Sequence, residues 1–217
     1  MEIFLKSRTA KSILIGLLAI SLLGVVFLTI FVELHPLLTT DISISREVQE
    51  HSNPWILLFM RCVSFFGSPF VAIIMVLITS GIFFWTSCKR EALFVLFTLG
   101  AGIVSAVIKI IVNRPRPTDT LVAVYQKLTD PSFPSGHVLF YVVFFGFLIV
   151  AMGVLKKFPF FVRVIVSSVS FGFIIFVSVS RLYLGAHWAT DVIAGYCIGL
   201  ILLFGLLYYY FKESKLV

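Results

Sequence analysis

Charge is what this sequence has least of. Only 12 % of its 217 residues are charged, where about 25 % is usual in a soluble domain. Hydrophobic residues make up 60 %, against ~45–50 % in soluble domains. A water-soluble fold is thereby excluded, and so is a disordered chain, which needs low hydrophobicity to stay solvated. Glycine, at 14 residues, is too sparse for a collagen repeat, and three cysteines cannot build a disulfide scaffold. Cys62, Cys88 and Cys197 are scattered among apolar neighbours, without a C-x-x-C pair or histidine-rich surroundings, so they read as small buried hydrophobes. Strand-like alternation is missing too, because the apolar runs are continuous. Lipid leaves helix or closed barrel as the only spanning structures, and these absences together leave an all-α integral membrane protein.

What is present fits that class. A spanning helix needs ~20 mostly apolar residues, and runs of that length fall near 12–32, 68–87, 91–113, 136–155, 161–182 and 190–211. Six transmembrane helices put both termini on one side. No repeat or linker divides the chain, so residues 1–217 are expected to form one domain. A cleavable signal peptide is the rival reading of residues 1–32. Its apolar stretch exceeds the ~7–15-residue core of such peptides and lacks a small-residue cleavage pattern, so an uncleaved first helix is expected. In the connection 33–67, Asn53-Pro54 reads as a helix cap and first helical position, and Trp55, Phe59, Phe65 and Phe66 suit a short interfacial helix.

Charge also gives orientation. With a cytoplasmic N-terminus, the inside holds Lys6, Arg8, Lys11, Lys89, Arg90, Lys156, Lys157, Arg163, Lys212 and Lys215 against Glu2, Glu91 and Glu213. The outside balances the remaining cations and carboxylates. The entire net charge of +7 then lies on the cytoplasmic side, as the positive-inside rule requires of a plasma-membrane protein. The basicity reports topology and implies no nucleic-acid partner; the oligomeric state stays open.

Three clusters fall at the outer helix ends. The first runs from Lys109 to Arg116-Pro117. Seven residues rotate a helix by about 700° and raise it ~10 Å, so both cations point one way, and Pro115 and Pro117 end the helix so that Arg116 can fold back. Two cations brought together want an anion. The second is Phe133-Pro134-Ser135-Gly136-His137. Ser135 suits an N-cap, Gly136 allows close backbone approach, and the first-turn amides make an anion seat with a histidine at its edge. The third is Ser180-Arg181 to Gly185, His187 and Asp191. His187 and Asp191 are i and i+4, so the carboxylate can orient the imidazole and leave its other nitrogen as a nucleophile. Arg181 and His187 lie about 240° apart on a continuous helix and converge only if it breaks, for which Gly185 is the expected place. Singly, each cation would be read as snorkelling and each histidine as incidental. Jointly they are complementary chemistry at one membrane level. His35 and His51 lack such surroundings.

The motifs K-x6-R-P (Lys109 to Pro117), P-S-G-H (Pro134 to His137) and S-R-x5-H-x3-D (Ser180 to Asp191) are complete and in order. In them the chain resembles the type 2 phosphatidic acid phosphatase superfamily. Arg114 duplicates the Arg-Pro element, but only Arg116 has the family's spacing from Lys109. The resemblance implies six helices with the active site at the outer ends of the third to sixth. It also implies that His187 attacks phosphorus, Asp191 orients it, and His137 protonates the leaving oxygen and later activates water. Lys109, Arg116 and Arg181, with the amides of Ser135, Gly136 and His137, would hold the phosphoryl oxygens without metal or cofactor.

The expected activity is therefore hydrolysis of a lipid phosphate monoester or diphosphate through a phosphohistidine. By the resemblance, phosphatidic acid, phosphatidylglycerophosphate, undecaprenyl diphosphate and the phosphates of lipid A are the candidate substrates. A phosphotransferase passing the group to an acceptor lipid is a second reading, and a non-enzymatic anion transporter or scaffold a third. The third is disfavoured because the ionisable residues form no relay across the bilayer midplane. Vanadium haloperoxidases share the motifs but are soluble, which this composition excludes.

Overall fold

The computed structural model describes residues 8–213. The described residues form nine helices and no strand: α1 (Arg8–Leu34), α2 (Thr39–Gln49), α3 (Pro54–Phe65), α4 (Pro69–Trp85), α5 (Lys89–Phe97), α6 (Gly100–Val112), α7 (Gly136–Val154), α8 (Phe160–Tyr183) and α9 (Ala189–Glu213). Glu2, Lys6 and Lys215, counted in the inside charge, lie outside them. Five helical stretches are long and apolar enough to cross a membrane: Ile15–Leu34, Lys89–Val112, Gly136–Val154, Phe160–Tyr183 and Ala189–Lys212. The count is six if α3 and α4, which meet at 60°, are one span. The chain is an all-helical, multi-pass membrane protein.

Local chemistry sets the helix ends. Asn53 caps α3, its Oδ1 accepting from the Trp55 amide at 2.8 Å with Pro54 in the first turn, as the sequence predicts. Asn113 ends α6 in the left-handed region (φ 45°, ψ 39°), and Pro115 and Pro117 keep the helix from resuming. Two features differ from expectation. The span expected over 91–113 is present as Lys89–Val112, but its helix is interrupted between α5 and α6, where the buried Thr98 Oγ1 donates to Val95 O at 2.6 Å. Helix α2 lies in a stretch read only as a connection, since it is too polar to announce itself; it buries Asp41 and Ser45.

Helix α7 is the axis of the molecule. Every residue from Val138 to Leu148 is buried, and 72 % of its apolar window is enclosed, against 11 % for Phe160–Tyr183. A helix apolar all round has to be enclosed in this way or face lipid; α5, α6, α8 and α9 enclose this one. Between helices in lipid, packing and buried polar bonds replace the hydrophobic effect. Accordingly Ser180 Oγ of α8 donates to Met60 O of α3 at 2.7 Å, and the Tyr141 hydroxyl of α7 donates to Val63 O.

The turns separate into two ends. At one, Lys157 Nζ donates to Thr86 O, joining the α7–α8 and α4–α5 turns. At the other, segment 113–135 lies over the α8–α9 turn: the Tyr125 amide donates to Leu184 O at 3.0 Å, and Gln49 Nε2 of α2 donates to Ala123 O at 2.8 Å and Tyr183 O at 3.0 Å. All three sequence clusters meet at this second end.

Candidate active site

The chain leaves α8 at Tyr183 and turns through Gly185, whose φ of +63° and close approach to Ala123 O, only 2.1 Å from where a Cβ would sit, admit glycine alone. The break expected at Gly185 is thus present, and the amide of His187 folds back to Arg181 O at 3.3 Å. Helix α9 begins at Ala189, so His187 and Asp191 do not share one helical face as the i, i+4 spacing predicts. Asp191 instead reaches back from the first turn: its Oδ2 accepts from the Trp188 amide at 2.9 Å, in the manner of a capping box, and lies 3.5 Å from His187 Nδ1. His187 Nε2 is 3.3 Å from Arg116 NH1. Burial, reinforced by Arg116, Arg181 and Lys109, holds the imidazole well below its ordinary value of 6.5, so the ring is a free base at neutral pH.

Helix α7 supplies the second cluster. Ser135 sits at the N-cap without a side-chain capping bond, and its amide donates to Asp191 O at 3.0 Å, tying the start of α7 to that of α9. The first-turn amides that follow have no intrahelical partner. His137 Nε2 is buried without a hydrogen-bond partner. Its ring lies against Gly67, where a Cβ would come within 2.4 Å of His137 Cδ2.

Lys109 and Arg116 come together as expected, and the anion between them is Asp130. Lys109 Nζ is 2.8 Å from Asp130 Oδ2, and Arg116 NH2 is 2.8 Å from Asp130 Oδ1. Lys109 also donates to Pro131 O, and Arg116 to Ala186 O and, at 2.6 Å, to Asp130 O. Partial burial would raise the Asp130 carboxyl, but the two cations outweigh it and hold it below 3.8. Burial lowers the Arg116 guanidinium, which Asp130 opposes. Arg181 is fully buried; its NH1 donates to Ser64 Oγ and, at 2.8 Å, to Gln126 Oε1, leaving Nε and NH2 without partners.

Arg114, read from sequence as a duplicate, is buried at 2 % exposure. Its NH1 is 2.5 Å from Asp191 Oδ1 and its NH2 2.8 Å from Asp41 Oδ2. Sequence reasoning missed Asp41, Ser64, Gly67, Gln126 and Asp130. The Arg-Pro-Arg-Pro run marked Arg114, but nothing local to the others marks them, because their partners are distant in sequence.

Lys109, Arg116, Asp130, His137 and His187 line a cavity of about 570 Å³. Its remaining wall is mostly apolar, with Ile73 of α4, Leu99 and Ile103 at the α5–α6 span, and Phe140 of α7. Among the described residues, no three His, Cys, Asp or Glu side chains group as a metal site would require.

A family model of the PAP2 superfamily matches residues 90–215, which contain all three clusters. Phosphatidylglycerophosphatase B of Bacillus subtilis (strain 168) is 31 % identical over 172 residues, covering 76 % of this chain and 81 % of that protein. Two solved structures share the fold. A transmembrane PAP2-type phosphatidylglycerolphosphate phosphatase from Bacillus subtilis has a TM-score of 0.77 at 24 % identity, covering 90 % of this chain and 96 % of its own. Aquifex aeolicus LpxE has a TM-score of 0.60 at 20 % identity, with 79 % and 97 % covered.

Proposed function

The chain belongs to the PAP2 superfamily and is a membrane phosphatase, and from that premise we propose that it hydrolyses the phosphate ester of a membrane lipid through a phosphohistidine on His187. One observation carries the reading: the two histidines and the cations Lys109 and Arg116 open onto a single cavity whose other walls are apolar. Phosphate chemistry and apolar room for a lipid in one cavity are what such a substrate needs.

The steps follow from the positions of the groups. His187 Nε2 offers its lone pair to phosphorus while Asp191 holds the Nδ1 side and stabilises the imidazolium that forms. The phosphorus–oxygen bond to the lipid breaks, and His137 gives a proton to the departing oxygen. A water then attacks the phosphohistidine, His137 takes its proton, and the nitrogen–phosphorus bond breaks to free inorganic phosphate. Charge building on the phosphoryl oxygens is met by Lys109, Arg116, the two unpartnered nitrogens of Arg181 and the amides of Gly136 and His137; the Ser135 amide, expected from sequence to join them, is instead taken by Asp191 O. These donors supply what a metal would otherwise provide, so turnover is expected to be metal-independent.

The bent α3–α4 pair is taken as the second of six crossings, with α3 at the interface. Both termini are then cytoplasmic and the site is extracytoplasmic. Lys89, Arg90, Lys156 and Lys157 adjoin the turns at the end opposite the histidines, which supports this orientation. The similarity to phosphatidylglycerophosphatase B makes phosphatidylglycerophosphate the first substrate to examine. The test is phosphate release by the detergent-purified protein from phosphatidylglycerophosphate, phosphatidic acid and undecaprenyl diphosphate, with His187→Ala as blank. Release from at least one of them, lost in the variant, is expected. Release that survives in the variant overturns the nucleophile, and a phosphorylated acceptor lipid in place of free phosphate makes the protein a transferase.

A further inference from the structure

Asp191 has two claims on it. Oδ2 accepts from the Trp188 amide and lies 3.5 Å from His187 Nδ1, which is buried without a hydrogen-bond partner, while Oδ1 lies 2.5 Å from Arg114 NH1. Both side chains are completely enclosed. A guanidinium that close, with water excluded, would cancel much of the negative charge that an imidazolium at His187 requires. Asp41 answers this. Its Oδ2 is 2.8 Å from Arg114 NH2, and it is 1 % exposed. Two carboxylates and one guanidinium leave a single net negative charge, and the member of the cluster that touches His187 is Asp191.

We propose that Asp41 and Arg114 are positioning residues for the nucleophile, acting through Asp191. Arg114 fixes Oδ1 so that Oδ2 faces His187, and Asp41 takes up the guanidinium's charge so that Asp191 keeps its own for the imidazolium. The proposal rests on the reading of His187 as nucleophile.

The supporting contacts hold this arrangement in one geometry. Thr190, beside Asp191 in the first turn of α9, donates its amide to Asp41 Oδ1 at 3.0 Å and its hydroxyl to Asp41 Oδ2 at 2.7 Å. Arg114 Nε donates to Pro36 O at 3.0 Å, and NH1 to Thr190 Oγ1 at 2.7 Å. The segment between α1 and α3, whose sequence gave no sign of function, thus reaches the nucleophile through two side chains. A buried ion cluster by itself is weak grounds for stability, since apolar groups of the same volume serve as well. The charge balance beside His187 gives this cluster a use that apolar packing could not supply.

The test compares Asp41→Asn, Arg114→Gln and the double variant in detergent. It reads kcat, KM, the pH profile of kcat/KM and the thermal midpoint. Asp41→Asn leaves Arg114 free to neutralise Asp191. Its kcat is expected to fall about 10- to 100-fold, the loss typical when the partner behind a functional side chain is removed, with KM within about twofold. In the double variant Asp191 regains an uncancelled charge, so kcat recovers above that of Asp41→Asn although two groups have been lost.

The single variants also move the acidic limb in opposite directions. An unbalanced Arg114 pushes the His187 limb to lower pH, while paired carboxylates without Arg114 draw it higher. The other charged groups facing that ring, Lys109, Arg116, Asp130, His137 and Arg181, are unchanged throughout. Either single variant alone carries the test if the other does not fold. Thr190→Ala, which removes hydrogen bonds but no charge, should keep kcat within a few-fold. A double variant no better than Asp41→Asn, or limbs that stay put, overturns the proposal. His187→Ala separates the two readings: turnover there sinks the nucleophile assignment, whereas an inactive His187→Ala beside a fully active Asp41→Asn sinks this inference alone.

Discussion

His187 and His137 open onto one cavity, and the division of labour proposed for them can be measured. A leaving group that needs no proton bypasses the general acid and never the nucleophile. On an activated aryl phosphate, His187→Ala is expected to lose roughly 10⁴-fold or more in kcat, while His137→Ala keeps a burst of phenol release equal to the enzyme concentration. Equal and complete loss in both would reverse or void the assignment. The pH dependence has a definite sign. Burial and three nearby cations hold His187 well below 6.5, so it stays unprotonated as pH falls through that value, and its acidic limb in kcat/KM should lie below 6.5. A limb at or above 6.5 would mean a solvated or carboxylate-dominated ring. That Lys109, Arg116, His137, Arg181, His187 and Asp191 gather at one end of the bundle was legible in the sequence, because each is placed by spacing within its own segment. Asp41 and Asp130 were not, because a lone carboxylate acquires meaning only from the cation that tertiary folding brings to it.

Connecting segments, more than the helices, determine the geometry of the site. The α8–α9 turn depends on Gly185. Alanine there faces both the left-handed backbone, which costs an L-residue about 1–2 kcal/mol, and Ala123 O at 2.1 Å. Gly185→Ala should therefore lower the thermal midpoint and the activity together. Gly67, between α3 and α4, behaves differently: an added methyl meets no backbone but two rings, His137 at 2.4 Å and Tyr141 at 2.8 Å. Gly67→Ala should lose about 10²-fold in kcat, the scale of a ~1 Å misplacement of a reacting group, with a smaller drop in thermal midpoint than Gly185→Ala. A fully active Gly67→Ala would remove His137 from the chemistry. In segment 113–135, Asp130 pairs with the two cations assigned to the phosphoryl group, so an incoming phosphate has to displace its carboxylate. Asp130→Asn should tighten inhibition by vanadate, measured as a lower Ki; a weakened inhibition would make Asp130 part of the binding site. The break at Gly185 could be read from sequence because Arg181 and His187 could not otherwise converge. The α5–α6 break and α2 could not, since a threonine turning back on its own helix and a short polar helix leave no periodic signal.

At the scale of the whole molecule, hydrophobic run length made the helical, multi-pass architecture readable in advance. It could not say how α3 and α4 bend at 60°, because both segments are apolar and a bend between them leaves no mark in run length. Orientation is open to a direct test. Single cysteines near Thr120 should react with an impermeant thiol reagent applied to intact cells, and cysteines near Lys156 should not; the reverse pattern would turn the site toward the cytoplasm. The central claim, a phosphoryl group passed to His187 by a site whose positive charge is entirely its own, meets its most direct test in a single trapping measurement. His137→Ala is mixed with an activated phosphate ester in excess chelator, quenched in alkali to preserve phosphohistidine, and its peptides are read by mass spectrometry. The account predicts a phosphoryl adduct on His187, absent when His187 is also replaced by alanine. An adduct on any other residue, or one that appears only when magnesium is restored, would contradict it.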